Sequence, residues 1–179
     1  MHIPYSDNKN IALFEEENKT VPLVYFNIIN LKKGESYSYQ LTKHETSVVP
    51  ATGIVELTVD GNKLGQIGTR ITDVWDGEPE GSYIPSNSQC TITCLSDKAE
   101  CFIAGGIYEK KLDPFLVSKN EIDMVQYGSD DTKTHRKIKH ILGAKQHEKV
   151  GRLLVNELYT VGAGGWSGFP PHKHDTDRL

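Results

Sequence analysis

The chain has 179 residues and a formal net charge of −4, which is enough chain for one large β domain or for one small barrel and part of another. The weak negative charge gives no electrostatic reason to expect a nucleic-acid partner. No stretch reaches the roughly 18 apolar residues that a membrane helix needs, so no membrane partner is expected either. The first ten residues lack a secretory signal, and three cysteines are an odd number, so the sequence predicts a reducing, cytoplasmic location.

Short strands separated by turns are predicted along the first 112 residues. The strand-like segments, bounded by Gly, Pro or Asp-Gly turns, are residues 22–31, 36–41, 54–59, 89–95 and 101–104. Asp60-Gly61 is a strong signal for a hairpin turn. Cys90 and Cys94 share one face of their segment, so we expect small buried hydrophobes there, with a zinc or redox pair as the alternative. This spacing of short strands predicts an all-β sandwich or barrel.

A second region begins near Asp113, where an Asp-Pro dipeptide and a polar stretch indicate a connection. Residues 135–142 form a basic segment with alternating apolar positions, and residues 152–160 are again strand-like. The basic segment is either a solvated strand face or a surface that attracts a sugar carboxylate or a phosphate. Arg136 is the candidate substrate-binding residue within it.

The motif with the clearest chemistry lies near the end of the chain, where residues 164–175 read Gly-Gly-Trp-Ser-Gly-Phe-Pro-Pro-His-Lys-His-Asp. His172 and His174 are two residues apart, so on a strand their imidazoles point to the same face and can meet at one cation. Neutral imidazole is a common ligand for divalent transition metals. The alternative is that both are ordinary exposed histidines. His44, alone in a polar segment, is expected to be a surface residue.

The run of residues 157–160, followed by 165–167 and 170–175, resembles the metal-binding strand of bacterial 5-deoxy-glucuronate isomerases, which are two-barrel cupins of myo-inositol catabolism. The resemblance implies an all-β cupin fold, a double-stranded β-helix or jelly-roll barrel, in a bicupin architecture with an incomplete second barrel. The implied divisions are an N-terminal barrel (1–112), a linker and crossing strand (113–150), and the first strands of the second barrel (151–179). The related 5-keto-4-deoxyuronate isomerases share this architecture, so the choice of substrate stays open.

The resemblance also implies that His172 and His174 bind a divalent metal ion, such as zinc or manganese. The cupin pattern needs in addition a Glu a few residues later and a third His on a later strand, and the sequence contains neither after His174. Asp175 or Asp177 could supply an oxygen ligand instead. Trp166 is either an apolar wall beside a bound sugar or a core residue, and no proton-transfer residue can be named.

The implied function is aldose–ketose isomerisation of 5-deoxy-glucuronate to 2-deoxy-5-keto-gluconate, with the metal as a Lewis acid. The expected partners are a small uronate-type sugar acid and further copies of the same chain. The alternative is a catalytically inactive cupin fragment that binds a sugar or assembles with itself, because a half-formed barrel exposes sheet edges.

Overall fold

The computed structural model describes residues 8–166, in which the regular elements are β-strands and short 3-10 turns. The strands are β1 (Val24–Lys32), β2 (Ser36–Gln40), β3 (His44–Thr52), β4 (Val55–Val59), β5 (Asn62–Ile67), β6 (Gly81–Tyr83), β7 (Gln89–Cys94), β8 (Lys98–Ile107), β9 (Phe115–Val117), β10 (Asp123–Tyr127), β11 (Arg136–Leu142) and β12 (Val155–Thr160). The 3-10 turns are Lys119–Glu121 and Ala144–Gln146. No helix among these residues is long and apolar enough to cross a membrane.

Two antiparallel sheets, formed by strands β1 to β5, β7 and β8, enclose the main core. One has the strand order β1-β8-β3 and the other the order β2-β7-β4-β5. Their inward side chains form a single apolar cluster, which includes Ile29, Val48, Leu57, Ile92 and Ile103. The all-β prediction is therefore confirmed.

The period-two pattern of the sequence explains which residues are buried. In β4, Val55, Leu57 and Val59 are buried while the two intervening residues are partly exposed, because successive side chains of a strand point to opposite faces. Cys90 and Cys94 of β7 lie in the same core, as predicted.

The hairpin predicted at Asp60-Gly61 joins β4 to β5. Both residues have a positive φ, 49° at Asp60 and 78° at Gly61, which is the conformation of a tight type I′ turn. The Asp60 carboxylate accepts hydrogen bonds from the Gln89 amide, the Ser88 hydroxyl and the Lys111 ammonium. The Gln89 and Lys111 bonds hold the pKa of Asp60 below its usual value, so the carboxylate stays ionised and ties the hairpin to β7.

A smaller sheet, with the order β10-β11-β12, follows the barrel in sequence. It packs beside the barrel, which is formed by strands β1 to β8, through a second apolar cluster whose buried members are Tyr83, Val117 and Leu142. We call the barrel the first unit and the smaller sheet the second unit. Strand β9 pairs with β6, so the segment that connects the two units is itself hydrogen-bonded to the first one. The two units therefore meet along a continuous junction.

Candidate functional site

The candidate substrate-binding residues Arg136 and Trp166 lie at the same end of the smaller sheet. Arg136 begins β11 and pairs with Thr160, the last residue of β12. Beyond β12 the chain continues alongside the segment that precedes β11: the Val161 amide donates to the His135 carbonyl at 2.9 Å, and the Trp166 amide donates to the Lys133 carbonyl at 2.7 Å. The fold therefore brings together two residues that are 30 positions apart in their numbering.

Arg136 lies with its guanidinium carbon 5.5 Å from the centre of the Tyr127 ring, a cation–π contact that orients the side chain. Alternation along β11 places His140 on the same face, where its Nδ1 is 2.7 Å from the Asn156 side-chain oxygen. Trp166 is 54% exposed, so the core alternative for this residue is wrong. Its predicted contact with a sugar stays a prediction. The predicted metal ligands His172 and His174 lie outside the described residues.

The opposite face of β12 carries an ion pair that the sequence analysis did not predict, between the buried Arg70 and the partly buried Glu157. The Arg70 guanidinium donates to both oxygens of Glu157, with N–O distances of 2.9 and 2.6 Å. The same guanidinium donates to the Tyr159 hydroxyl at 3.2 Å, and that hydroxyl donates to Glu157 at 2.8 Å. Burial disfavours the charged form of Arg70, but the bonds and charge of Glu157 outweigh it and raise the pKa of the arginine. Every acceptor in this cluster thus has a donor.

Glu45 makes a second connection between the two units. Its buried carboxylate accepts the backbone amides of Gly151 (2.9 Å), Arg152 (2.5 Å) and Leu153 (3.0 Å), together with the Tyr83 hydroxyl (2.7 Å). Burial and the neighbouring carboxylate both raise the pKa of Tyr83, which keeps its phenol protonated as a donor. A side chain at Gly151 would overlap Glu45 and the ring of Tyr108, so the backbone can approach the carboxylate only at a glycine. Glu45 therefore fixes the segment that leads into β12.

His44 is 3% exposed within β3, so its prediction as a surface residue is wrong. The sequence reads as a polar loop, but β3 begins at this residue and turns the ring inward. His44 Nδ1 is 3.0 Å from a Glu16 oxygen, and Nε2 is buried with no hydrogen-bond partner among residues 8–166. On the same inward face, the Thr46 hydroxyl bonds the Tyr39 hydroxyl at 2.7 Å. Residues 8–166 contain no group of three or more His, Cys, Asp or Glu side chains that could hold a metal ion.

We expect the three cysteines to react slowly with a thiol reagent in the folded protein, because all three are buried and only a thiolate is nucleophilic. Burial raises the pKa of Cys90 to about 12 and also raises the pKa of Cys101. A colorimetric thiol titration at pH 8, in buffer and in guanidinium chloride, measures the difference. As a control, S38C should add one fast-reacting thiol, since Ser38 is exposed. Rapid labelling of the folded wild-type chain would contradict the expectation.

The sequence analysis did not identify Arg70 or Glu45 as important, and no local signal marks them. The side-chain partners of Arg70 lie 87 and 89 residues further along the chain, and the partners of Glu45 lie up to 108 residues further. Periodicity describes only neighbours along a strand, so neither pairing was visible. The one available cue was Glu157 itself, a charged residue at an alternating position within a strand.

Comparison with known proteins shows which family the chain belongs to. A sequence model of the KduI/IolB family matches residues 3–179. The chain belongs to the KduI/IolB family. Curated relatives include the 5-deoxy-glucuronate isomerase of Bacillus subtilis strain 168, which is 33% identical over 163 residues, 90% of this chain and 58% of the relative. The corresponding protein of Bacillus licheniformis is 30% identical over 166 residues, 92% of this chain and 59% of the relative.

The fold agrees with this family. An IolB-like protein from Salmonella typhimurium LT2 superposes with a TM-score of 0.69 at 24% sequence identity, covering 80% of this chain and 52% of that one. The cupin jelly-roll prediction is therefore confirmed. This KduI/IolB chain spans less than two thirds of the length of the two Bacillus relatives, so the activity of the whole relatives is not transferred to it directly.

Proposed function

We propose that this KduI/IolB chain carries part of the machinery of an aldose–ketose isomerase that converts 5-deoxy-glucuronate to 2-deoxy-5-keto-gluconate. The observation that supports it is the match over 163 residues, 33% identical, to a protein named for the first of these compounds. In such an isomerisation the aldehyde carbon gains a hydrogen and becomes an alcohol carbon. The neighbouring alcohol carbon loses one and becomes a ketone, so no external oxidant or reductant is needed.

The proposed metal ligands are His172 and His174, whose imidazoles suit a divalent transition-metal ion. When bound, such an ion supplies a Lewis acid for the carbonyl and hydroxyl oxygens of the sugar. Arg136 would bind the carboxylate of the sugar acid, and Trp166 would flank its ring. What supports these two roles is that Arg136 and Trp166 lie at the same end of the smaller sheet.

Metal content tests this proposal. The purified chain should bind about one zinc or manganese ion, and H172A should lose most of that affinity because a single remaining imidazole holds a metal ion poorly. The matched control is H147A, since His147 is an exposed histidine whose Nδ1 bonds only a neighbouring backbone carbonyl. Elemental analysis after dialysis, together with an isomerase assay on 5-deoxy-glucuronate, gives the result. Equal metal content in the wild-type protein and both variants would contradict the proposed metal site.

A second candidate function is an inactive cupin that binds a sugar or assembles with itself. The smaller sheet supports it, because Met124, Tyr127 and Leu158 are large apolar residues that remain about half exposed on that sheet. Such residues favour contact with another copy of the chain. Light scattering coupled to size-exclusion chromatography measures the mass. A dimer that has no bound metal and no isomerase activity would favour this function over the enzyme.

A further inference from the structure

A pocket of about 480 Å³ lies on the barrel-facing side of the smaller sheet, away from Arg136. Its floor is formed by Tyr159 of β12 and by Lys137 and Lys139 of β11, which the strand register places side by side. Its wall is the turn-rich segment between β5 and β6, which contributes Trp75 and Glu78. The volume falls within the range of pockets that hold small organic ligands.

Two aromatic rings form a corner in this pocket. Trp75 is 70% exposed, and its ring centre lies 5.2 Å from that of Tyr159 with the planes inclined at 49°. The exposed indole is not on a loose loop: its amide donates to Asp73, and the Asp76 carboxylate accepts from the Thr72 amide and hydroxyl. Tyr159 is equally fixed, because Arg70 and Glu157 hold its hydroxyl. The indole face is therefore pre-organised in contact with solvent.

Of the two lysines that line this pocket, one is in an ion pair and the other is not. Lys139 is paired with Glu78 at 2.5 Å, and its ammonium lies 4.8 Å from the centre of the Tyr159 ring. Asp76 is occupied by the hydrogen bonds of its own turn. Lys137, by contrast, lines the pocket, and its ammonium group has no hydrogen bond or ion pair to any residue from 8 to 166. A ligand carboxylate could accept a charge-assisted hydrogen bond from this ammonium group.

We propose that this pocket binds a carboxylate-bearing monosaccharide, with the sugar ring stacked on Trp75 and its carboxylate bound to Lys137. The electron-rich face of an indole attracts the weakly positive C–H edges of a sugar ring, whereas the hydroxyl groups at the ring edge stay in water. A single free ammonium matches a single carboxylate. This inference goes beyond the proposed function, because the site includes neither His172 nor His174 and binding needs no metal ion.

The test is a titration of the full chain with sodium glucuronate in the presence of a chelator, followed by NMR. The indole N–H signal of Trp75, assigned from its absence in W75F, should shift in a saturable way. K137M should weaken binding at least tenfold, because one charge-assisted hydrogen bond is lost, and K137R should retain most of it. The matched control K98M, which removes an exposed lysine on β8, should bind as the wild type does.

Three results would overturn the proposal: no saturable shift, equal binding of glucose, or inorganic phosphate binding as tightly as glucuronate. The last would mark a general anion site without sugar recognition. The titration also separates this site from the proposed function. H172A should lose its metal and still bind glucuronate like the wild type, whereas K137M should keep its metal and bind glucuronate weakly. Failure of the sugar-binding proposal can therefore be distinguished from failure of the proposed metal site.

Discussion

Replacing Arg70 with methionine is expected to lower the free energy of unfolding by about 3–5 kcal/mol, because it leaves the Glu157 carboxylate in a largely buried site without its partner. Arg70 is 2% exposed and donates two hydrogen bonds to that carboxylate, which also accepts one from the Tyr159 hydroxyl. Urea unfolding of R70M, followed by circular dichroism, measures the change.

Two further variants make this result specific. The double variant R70M/E157L should regain much of the lost stability, since it removes the isolated charge and fills the space with apolar side chains. K63M breaks the surface ion pair between Lys63 and Glu56, in which the lysine is 62% exposed, and should cost about 0–1 kcal/mol. If R70M were no more costly than K63M, the ion pair would not stabilise the junction.

Replacing Glu45 with glutamine is the second change with a large expected effect, about 3 kcal/mol or more of unfolding free energy. The carboxylate accepts hydrogen bonds from three consecutive backbone N–H groups and one phenol. In glutamine an NH₂ group replaces one of the two carboxylate oxygens, so some of these donors would face another donor instead of an acceptor. A buried donor without an acceptor costs about 1–3 kcal/mol, and several are affected at once. Chemical denaturation of E45Q gives the total.

Hydrogen exchange locates the same effect. In E45Q the amides of residues 151–153 should exchange faster than in the wild type, whereas those in β4 and β7 should change little until global unfolding. The matched control is E35Q, because the Glu35 carboxylate accepts the Lys32 amide in an exposed turn and should contribute under about 1 kcal/mol. Unchanged exchange at residues 151–153 would contradict the role given to Glu45.

The sequence predicted the barrel well because its signals are local. Alternation in residues 54–59 and the Asp60-Gly61 turn each report on a few neighbouring residues, and both are confirmed. His44 shows the limit of this reasoning. The residues around it are polar, yet the ring is buried, with its Nδ1 within hydrogen-bond distance of the Glu16 carboxylate from the segment before β1. A partner 28 residues away cannot be read from composition.

The candidate site divides in the same way. Arg136 and Trp166 were predicted as separate residues, and only the antiparallel pairing of β11 with the chain after β12 shows that they lie at one sheet end. The Trp75 pocket was not predicted at all. It requires the segment between β5 and β6 to cross the face of a strand that occurs 80 residues later, which is a property of the tertiary fold alone.

The two buried charges of the barrel also decide how self-sufficient that barrel is. Glu45 and Arg70 both lie before residue 107, and each takes most of its hydrogen-bond partners from beyond residue 150. A polypeptide that stopped after β8 would keep the apolar core, the Tyr83 bond to Glu45 and the Arg70 bond to the Gly77 carbonyl, but it would lose the three backbone amides that bind Glu45 and the carboxylate that neutralises Arg70. The barrel is therefore incomplete by itself at these two positions. Its native packing is completed only when the later strands have been synthesised and have docked against it.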